Sequence, residues 1–465
     1  MVLTEPAPTA EPAACEGVLR RHCPRESAAR TYARALPVVP VRARGLTVEA
    51  ADGRRYLDCL SGAGVLALGH NHPVVLEAVR AVLDSGAPLQ VLDLATPVKD
   101  AFVEELLACL PPALAAHGRI RFCGPAGTDA VQAALGLVRA ATGRPGVLAF
   151  SGASHGTTTG APAVSGGIPP ADTCVSHLPY PHSYRCPFGV GGDRGAGLSA
   201  RLVQSVLDDP GHGVPLPAGV VLEPVQGEAG VIPAPDAWLR RMRQLTAARD
   251  LPLVVDEVQT GVGRTGAFWG VDHAGVVPDV MVLSGAVGGS LPLAAIVHHE
   301  DLDAGAPGAP TGTFRGNQLA MAAGRATLAH VRRGDLAAHA AGLGARMLRS
   351  LRELPARHRC VGDVRGRGLM IGVEIVDPEA ADTTGAPPPA PELALAVQQA
   401  CLQRGLIVEL GGPHHSVVRL LPPLTLTDEQ ADAVLDRLAD AVEATARTPR
   451  PPARVPHPTL RGTTR

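Results

Sequence analysis

Three short apolar runs within residues 251–297 constrain the fold more than any other feature of this chain. They are Pro252–Val255, Val280–Leu283 and Leu293–Val297. Each run is rich in leucine or β-branched residues and is bounded by glycine, proline or aspartate, so each predicts a buried strand of a parallel sheet. Ligands of open α/β sheets bind beyond the carboxyl ends of strands. Asp256 ends the first run and Gly285 follows the second, so we expect both at a ligand site.

The rest of the chain predicts an α/β protein. Residues 46–58 alternate around Asp52-Gly53, which predicts a hairpin, and residues 26–40 predict a short helix ended by proline. From residue 119 onward, short apolar strands alternate with amphipathic helices. The predicted strands are Ile120–Cys123, Val147–Phe150, Gly219–Leu222, Leu369–Ile375 and Val417–Leu421. The predicted helices begin near Pro73, Thr128, Asp236, Gln318, Asp335 and Glu392.

Composition argues against two classes of function. The 465 residues carry a formal net charge of −2, so no basic excess suggests nucleic acid as a partner. No run of about 18 apolar residues suggests a membrane span.

The nine cysteines are scattered without a C-x-x-C pair, and no signal pattern opens the chain, which predicts a reduced, cytoplasmic protein.

Two positions indicate chemistry from their local pattern. The turn before Thr128 opens a helix directly after a strand, and free N–H groups at a helix start suit a phosphate. The alternative is a glycine turn with no ligand. Asp256 is a carboxylate at the end of an apolar strand, so it requires a partner. That partner is either a cationic ligand or the backbone of the next turn.

Several longer motifs resemble the class III (ω-amino acid) aminotransferases, which use pyridoxal phosphate (PLP). They are D-E-V-Q-T-G-V-G-R-T-G from Asp256, F-C-G-P-A-G-T-D-A-V from Phe122 and T-F-R-G-N from Thr313. Residues 62–73, 92–102 and 180–189 narrow the resemblance to the diaminobutyrate–2-oxoglutarate aminotransferase branch. The similarity runs from about Glu26 to Leu438, which is nearly the whole folded chain.

The resemblance implies PLP-transferase fold type I. We expect a large domain with a mostly parallel seven-stranded sheet, and a smaller α/β domain built from the N- and C-terminal segments. The large PLP-binding domain would span residues 80–333, and the small domain residues 26–79 and 334–447. Residues 1–25 and 448–465 are rich in proline and charged or small residues, so we expect both to be disordered.

The same resemblance implies roles at the cofactor. Asp256 pairs with the pyridine nitrogen, Gln259 lies near the ring hydroxyl, and Gly127 and Thr128 bind the phosphate. Thr313 reaches the phosphate of the other subunit, although a helix-capping role is the alternative. His155 belongs to a triplet beside the ring, and the triplet's first position, aromatic in the family, is Ser154 here. The phosphate turn also departs from the family, because Ala126 replaces a serine and Gln132 a glutamate.

Two further residues are implied at the substrate. Arg419 matches the arginine that binds a substrate carboxylate bidentately, and its alternative is a surface strand position. Glu228 matches a glutamate that pairs with this arginine or moves aside from it. The close histidine pairs 70/72, 298/299 and 414/415 lack further ligands, so we expect no metal site.

The largest departure from the family is at Gly285. In the family a lysine within L-S-K-A forms the Schiff base with PLP, whereas this chain has L-S-G-A. The chain contains one lysine, Lys99, at a position where the branch carries a lysine besides its catalytic one, so we do not expect Lys99 at the cofactor. Any PLP would then be held non-covalently, and a positioned base would be missing.

Three functions remain open at this point. The chain could be an aminotransferase-like enzyme that binds PLP with altered or slow turnover of diaminobutyrate, glutamate and 2-oxoglutarate. It could instead be a non-catalytic subunit that supplies Thr313 to a lysine-bearing paralogue. The third possibility is an enzyme with PLP-independent chemistry in the same pocket. A homodimer is expected for the first function and a heterodimer for the second.

Overall fold

The computed structural model describes residues 12–22, 25, 36–158, 160–166, 174–303, 312–380 and 385–447. The strands are β1 (Pro40–Arg44), β2 (Thr47–Ala50), β3 (Arg55–Asp58), β4 (Gly118–Phe122), β5 (Val147–Phe150), β6 (Val175–Leu178), β7 (Val220–Leu222), β8 (Val225–Gln226), β9 (Ile232–Pro233), β10 (Leu253–Asp256), β11 (Val280–Leu283), β12 (Ala295–His299), β13 (Val361–Arg367), β14 (Met370–Ile375), β15 (Leu406–Ile407), β16 (Glu409–Gly411) and β17 (Val417–Leu420). The α-helices are α1 (Pro12–His22), α2 (Pro73–Asp84), α3 (Pro97–Cys109), α4 (Pro112–His117), α5 (Gly127–Thr142), α6 (Ala161–Val164), α7 (Gly192–Asp208), α8 (Asp236–Ala247), α9 (Gln318–Arg333), α10 (Leu336–Leu351), α11 (Leu354–Arg357), α12 (Pro391–Gln403) and α13 (Asp428–Arg447).

A seven-stranded sheet forms the centre, in the order β4-β12-β11-β10-β7-β5-β6. The pairs β11–β10, β10–β7, β7–β5 and β5–β6 are parallel. Strands β5, β7, β10 and β11 are buried along their whole length, which explains why they are continuously apolar in sequence. The expected mostly parallel seven-stranded sheet of an α/β fold is therefore confirmed.

The direction of β12 differs from our expectation. We predicted a parallel strand from the run Leu293–Val297, but β12 is antiparallel to both β11 and β4. The connection from β11 consists of residues 284–294. A parallel crossover needs about a dozen or more residues, so this connection is too short for one. An apolar run shows that a strand is buried but does not show its direction.

The other sheets join distant parts of the chain. Strands β1, β2, β3 and β15 form a four-stranded sheet in which β15 pairs parallel to β3, so N-terminal and C-terminal segments meet there. The hairpin predicted at Asp52-Gly53 is the antiparallel pair β2–β3. Strands β13, β14, β17 and β16 form a third, antiparallel sheet. The domain boundaries themselves stay a prediction.

The chain ends give a mixed result. Pro12–His22 form helix α1, within the first 25 residues where we expected no regular structure. Residues 26–35, most of the predicted helix 26–40, lie outside the described residues, as does the tail 448–465. Among the described helices, we find none with the length and apolar character that a membrane span requires.

One edge of the central sheet collects the polar strand ends. Strand β4 is antiparallel to β12, which is antiparallel to β11, so β4 points the same way as β5, β7 and β10. The carboxyl ends of these four strands lead to Cys123, Ser151, Glu223 and Glu257. The candidate site lies at this edge, as expected for an open α/β sheet.

Candidate active site

A cavity of about 250 Å³ lies at the carboxyl edge of the sheet. It is lined by Gly127, Thr128, Ser154, His155, Gly156, Glu223, Glu228, Asp256, Val258 and Gln259. Six residues that we singled out from the sequence as binding residues therefore line one cavity. Thr313, Gly285 and Arg419 are not among the lining residues.

Asp256 is paired through both carboxylate oxygens. Its Oδ1 accepts a hydrogen bond from Val258 N at 3.0 Å, which is the turn-capping role that we considered. Its Oδ2 lies 2.7 Å from Nδ1 of His155, which is buried beside it. The carboxylate thus closes the turn and also lines the cavity, so the two interpretations of Asp256 are compatible.

The pKa of His155 is raised although the residue is buried. Burial by itself would lower the pKa of the imidazole, but the hydrogen bond to Asp256 and the negative charges of Asp256 and Glu223 outweigh burial and raise the pKa above its ordinary value. Among the residues that the structure describes, nothing pairs with the buried Nε2 atom of His155. The His155–Asp256 pair is therefore a fixed element in the floor of the cavity.

Glu223 is a second buried acid that the sequence reasoning missed. Its carboxylate accepts hydrogen bonds from Ser154 N and Gly227 N, each at 3.0 Å. Burial raises its pKa to about 7, while His155 lowers it and Asp256 raises it further. The missed signal was its place directly after the apolar run Gly219–Leu222, which repeats the pattern of Asp256.

The start of helix α5 presents free donors to the cavity. Gly127 is its first residue, and the N–H groups of Gly127 and Thr128 make no hydrogen bond within the described part of the chain. The Thr128 hydroxyl lies 2.6 Å from Oγ1 of Thr158 and accepts from Thr158 N at 3.0 Å. Gly156 must lack a side chain, because a Cβ there would lie 2.4 Å from Cβ of Thr128. Unpaired N–H groups at a helix N-terminus form an anion site.

The structure leaves room for a Cβ atom at Gly285, the position where the family has its lysine. Gly285 follows β11 with φ of +62°. A Cβ built there would meet Val258 O at 3.4 Å and Val65 Cγ2 at 3.5 Å, which are ordinary van der Waals contacts. Lys99 lies elsewhere, with Nζ 3.3 Å from Asp93 O and 5.2 Å from the centre of the Phe122 ring. Because Lys99 is the chain's one lysine and does not line the cavity, no lysine lines it.

Arg419 is fully buried on β17 and binds two carboxylates. Its Nη1 donates to Glu228 Oε1 at 2.8 Å, and its Nη2 donates to Glu409. Burial would lower the pKa of the guanidinium, but the two glutamates outweigh burial and raise it. The alternative of a surface position is therefore wrong for Arg419. Glu228 lines the cavity and Arg419 lies behind it, with Gln259 Nε2 3.4 Å from Glu228 Oε1.

Thr313 is exposed and lies outside this chain's own cavity. It begins the short 3₁₀ turn Thr313–Gly316, next to Gly312, where a Cβ would lie 2.8 Å from Gly124 Cα. Asn317, not Thr313, caps helix α9, since Asn317 Oδ1 accepts from Ala320 N at 3.1 Å. The capping alternative for Thr313 is therefore not what the structure shows.

The lining residues fit a flat, phosphate-bearing ring held without a covalent bond. Asp256 offers a carboxylate to a protonated ring nitrogen, and Gly127 and Thr128 offer unpaired N–H groups to a phosphate. Val258 provides an apolar wall, whereas Ser154 provides no aromatic face. The covalent tether does not fit, because no lysine lines the cavity.

Metal and disulfide chemistry have no site among the described residues. In those parts of the chain, no group of three or more His, Cys, Asp or Glu side chains could hold a metal ion. The described cysteines 59, 109, 123, 174, 186, 360 and 401 are all free thiols. The ionisable groups of the cavity are thus the carboxylates and the histidine described above.

Comparison with known proteins identifies the family. The family model "Aminotransferase class-III" matches residues 28–442. A diaminobutyrate–2-oxoglutarate aminotransferase from Rhizobium meliloti is 50% identical over 430 residues, which cover 91% of this chain and 92% of the relative. A protein of the same name from Haemophilus influenzae is 45% identical and covers 90% of this chain and 93% of the relative.

A solved structure shows the same fold. The PLP-bound amine transaminase from an uncultivated Pseudomonas species superposes with a TM-score of 0.81 at 29% identity. The superposition covers 91% of this chain and 98% of that protein. The match over most of both chains agrees with the mostly parallel sheet and the site at its carboxyl edge. On this evidence, the chain belongs to the class III aminotransferases.

Proposed function

We propose that this chain binds PLP without a covalent bond in the Asp256 cavity and acts on small amino and 2-oxo acids of the diaminobutyrate, glutamate and 2-oxoglutarate class, with slow or altered turnover. One observation carries the proposal. The Asp256–His155 pair and the free N–H groups of α5 are present in one cavity, and no lysine lines that cavity. The names of the two aminotransferase relatives support the substrate class.

The cofactor-facing residues have separable roles in this proposal. PLP, when bound, supplies an electron sink for bond breaking at the substrate Cα. Asp256 would hold the ring nitrogen in its protonated form, and His155 fixes the Asp256 carboxylate through its hydrogen bond. Gly127 and Thr128 hold the phosphate through their N–H groups. Gln259 Nε2 lies 3.4 Å from Glu228 Oε1, and Gln259 would bind the ring hydroxyl.

The substrate-facing residues explain how one site takes two kinds of substrate. With Glu228 paired to Arg419, the cavity presents a carboxylate and suits a substrate ammonium. When Glu228 moves aside, Arg419 can bind a substrate carboxylate. Glu228 has a side chain that is 48% exposed, whereas that of Arg419 is fully buried, so Glu228 is the partner with room to move.

This chain lacks the lysine that would transfer the substrate proton. A positioned general base typically contributes 10²–10⁴ in rate. Glu223 lies in the cavity with a pKa of about 7, but its carboxylate is held by two backbone N–H groups. We therefore assign Glu223 no transfer of the substrate proton, and we expect turnover to be slower by at least this factor.

The decisive experiment is a visible spectrum of the purified protein with and without PLP, and then with diaminobutyrate. We expect saturable, reversible binding of PLP. Borohydride treatment followed by mass spectrometry should leave the protein mass unchanged. A pyridoxyl adduct on the protein would contradict non-covalent binding, and the absence of saturable binding would favour PLP-independent chemistry in the cavity.

A non-catalytic subunit is the second candidate, and the absence of a lysine from the cavity, together with the exposure of Thr313 outside it, favours this candidate. In that case this chain lends Thr313 to the phosphate site of a lysine-bearing paralogue in a heterodimer. Co-expression with such a paralogue distinguishes the two candidates. A heterodimer whose activity depends on Thr313 supports the second candidate, whereas a stable homodimer without effect on any related aminotransferase supports the first.

A further inference from the structure

A second cavity, of about 330 Å³, is separated from the cofactor cavity by the chain segment 226–228. The two linings share no residue, since Gln226 faces the second cavity and Glu228 faces the first. The second cavity lies between the large sheet and the antiparallel sheet that contains β14 and β17, and prolines and Tyr180 form much of its apolar wall.

Two arginines of this cavity share one buried carboxylate. Arg185 Nε donates to Glu374 Oε1 at 2.5 Å, and Arg365 Nη1 donates to Glu374 Oε2 at 2.5 Å. Asp363 Oδ2 accepts a hydrogen bond from Arg365 Nη1 at 2.9 Å. The cluster therefore contains two guanidinium groups and two carboxylates, and its formal charges cancel. Within the described chain, Arg185 Nη1 and Arg365 Nη2 make no hydrogen bond. These nitrogens are donors available to a carboxylate in the cavity.

His182 adds a third donor. Its Nδ1 accepts a hydrogen bond from Arg185 N at 3.1 Å, so this nitrogen carries no proton. Burial, together with the positive charges of Arg365 and Arg185, lowers the pKa of His182 to about 4, so the ring is neutral at pH 7. A neutral imidazole with an accepting Nδ1 carries its proton on Nε2. His182 therefore lines the cavity as a neutral N–H donor.

Gln226 supplies the complementary acceptor. The residue is 1% exposed, and its Nε2 donates to Ser151 O at 3.1 Å. Its Oε1 has no hydrogen-bond partner among the described residues. A buried carbonyl oxygen without a partner has lost its hydrogen bond to water, so it favours a ligand that brings an N–H donor.

We propose that this cavity binds one small zwitterionic α-amino acid, at a site separate from the cofactor cavity. The ligand carboxylate accepts hydrogen bonds from Arg185 Nη1, Arg365 Nη2 and His182, and its ammonium donates to Gln226 Oε1. The neutral charge of the arginine–carboxylate cluster matches a ligand of zero net charge better than it matches an anion or a cation. The apolar wall receives the side chain of the amino acid.

Isothermal titration of the full-length protein, free of PLP, tests this site. The probes are L-alanine, L-leucine and L-glutamine, with acetate and methylammonium chloride as the two halves of the recognised group. We expect at least one amino acid to bind with 1:1 stoichiometry, and acetate and methylammonium to bind at least tenfold more weakly. No binding of any of the three amino acids up to about 10 mM, or equal binding of acetate, overturns the proposal.

Variants separate this site from the cofactor cavity. Gln226→Met removes the acceptor at similar volume, and Arg185→Lys keeps the charge but loses the guanidinium fork. Each should weaken the binding of the amino acid at least tenfold, whereas Glu228→Gln, in the cofactor cavity, should leave the affinity for the amino acid unchanged. Melting curves confirm that each variant is folded, and either of the first two suffices if the other fails to fold. Loss of binding in Glu228→Gln with retention in Gln226→Met or Arg185→Lys places the ligand in the cofactor cavity and overturns the proposal.

Discussion

Arg419 and Glu409 lie directly opposite each other on the antiparallel strands β17 and β16, and the arginine donates to the glutamate from Nη2. Gly411 makes room for this arrangement, because a Cβ there would lie 2.7 Å from Arg419 Nε. Glu228 binds the other end of the guanidinium from a loop, with a side chain that is 48% exposed against 10% for Glu409. Glu409 is thus the fixed partner of Arg419, and Glu228 the exchangeable one.

The two glutamates should differ in their effect on stability. Removing one partner of a buried ion pair lowers the free energy of unfolding by about 3–5 kcal/mol. Because Glu228 still compensates part of the charge of Arg419, we expect a loss of about 3 kcal/mol for Glu409→Gln. The half-exposed pair contributes about 1 kcal/mol or less, so Glu228→Gln should lower the free energy of unfolding by no more than that. Urea denaturation of both variants measures the difference. Equal losses would contradict the fixed role of Glu409.

Asp256→Asn should weaken the binding of PLP. The substitution keeps the shape of the side chain but removes the charge that a protonated ring nitrogen needs, and hydrogen bonds to charged groups contribute about 1.5–3 kcal/mol. The dissociation constant of PLP, measured by absorbance titration, should therefore rise by roughly 10- to 100-fold. Glu257→Gln is the matched control. Glu257 is equally buried, but its carboxylate accepts from Gly270 N and Val271 N outside the cavity, so its loss should leave the affinity for PLP unchanged.

Glu223→Gln should alter the pH dependence of stability. The pKa of Glu223 is raised to about 7 from an ordinary value of 4.5, so the folded protein favours the protonated acid. The resulting stabilisation is fully present below pH 4.5 and is lost as the pH rises through 7. The free energy of unfolding of the wild type should fall relative to that of the variant between pH 5 and pH 7.5. A constant difference over this range would show that Glu223 titrates normally.

Gly285→Lys and Gly285→Ala should lose stability to the same extent. A non-glycine residue in the left-handed region costs roughly 1–2 kcal/mol, and the space around Gly285 adds no clash for the first carbon. Chemical denaturation should therefore give similar values for both variants. Borohydride in the presence of PLP should fix the cofactor to the lysine variant alone, which mass spectrometry detects. A lysine variant without an adduct would show that other parts of the cavity no longer present PLP to this position.

Local sequence was sufficient for much of the architecture. The apolar runs that became β5, β7, β10 and β11 are buried on both faces. Nearly every residue of such a strand is apolar, so the strand can be predicted from a continuous apolar run in the sequence. Asp256 could be placed at the cavity for the same reason, since it ends such a run. The absence of a lysine from the cavity follows from composition, because Lys99 is the chain's one lysine and does not line the cavity.

Partner choice and strand direction were decided by the tertiary structure. His155 and Asp256 are 101 residues apart, and Arg419 and Glu228 are 191 apart, so only the order of the strands brings each pair together. Glu223 could have been found from its place directly after an apolar run, but the antiparallel direction of β12 is not visible in periodicity, which reports the faces of an element and not its neighbours. The sequence by itself therefore determined which elements form and which tether is missing, whereas long-range packing determined which charges meet and which cavities they line.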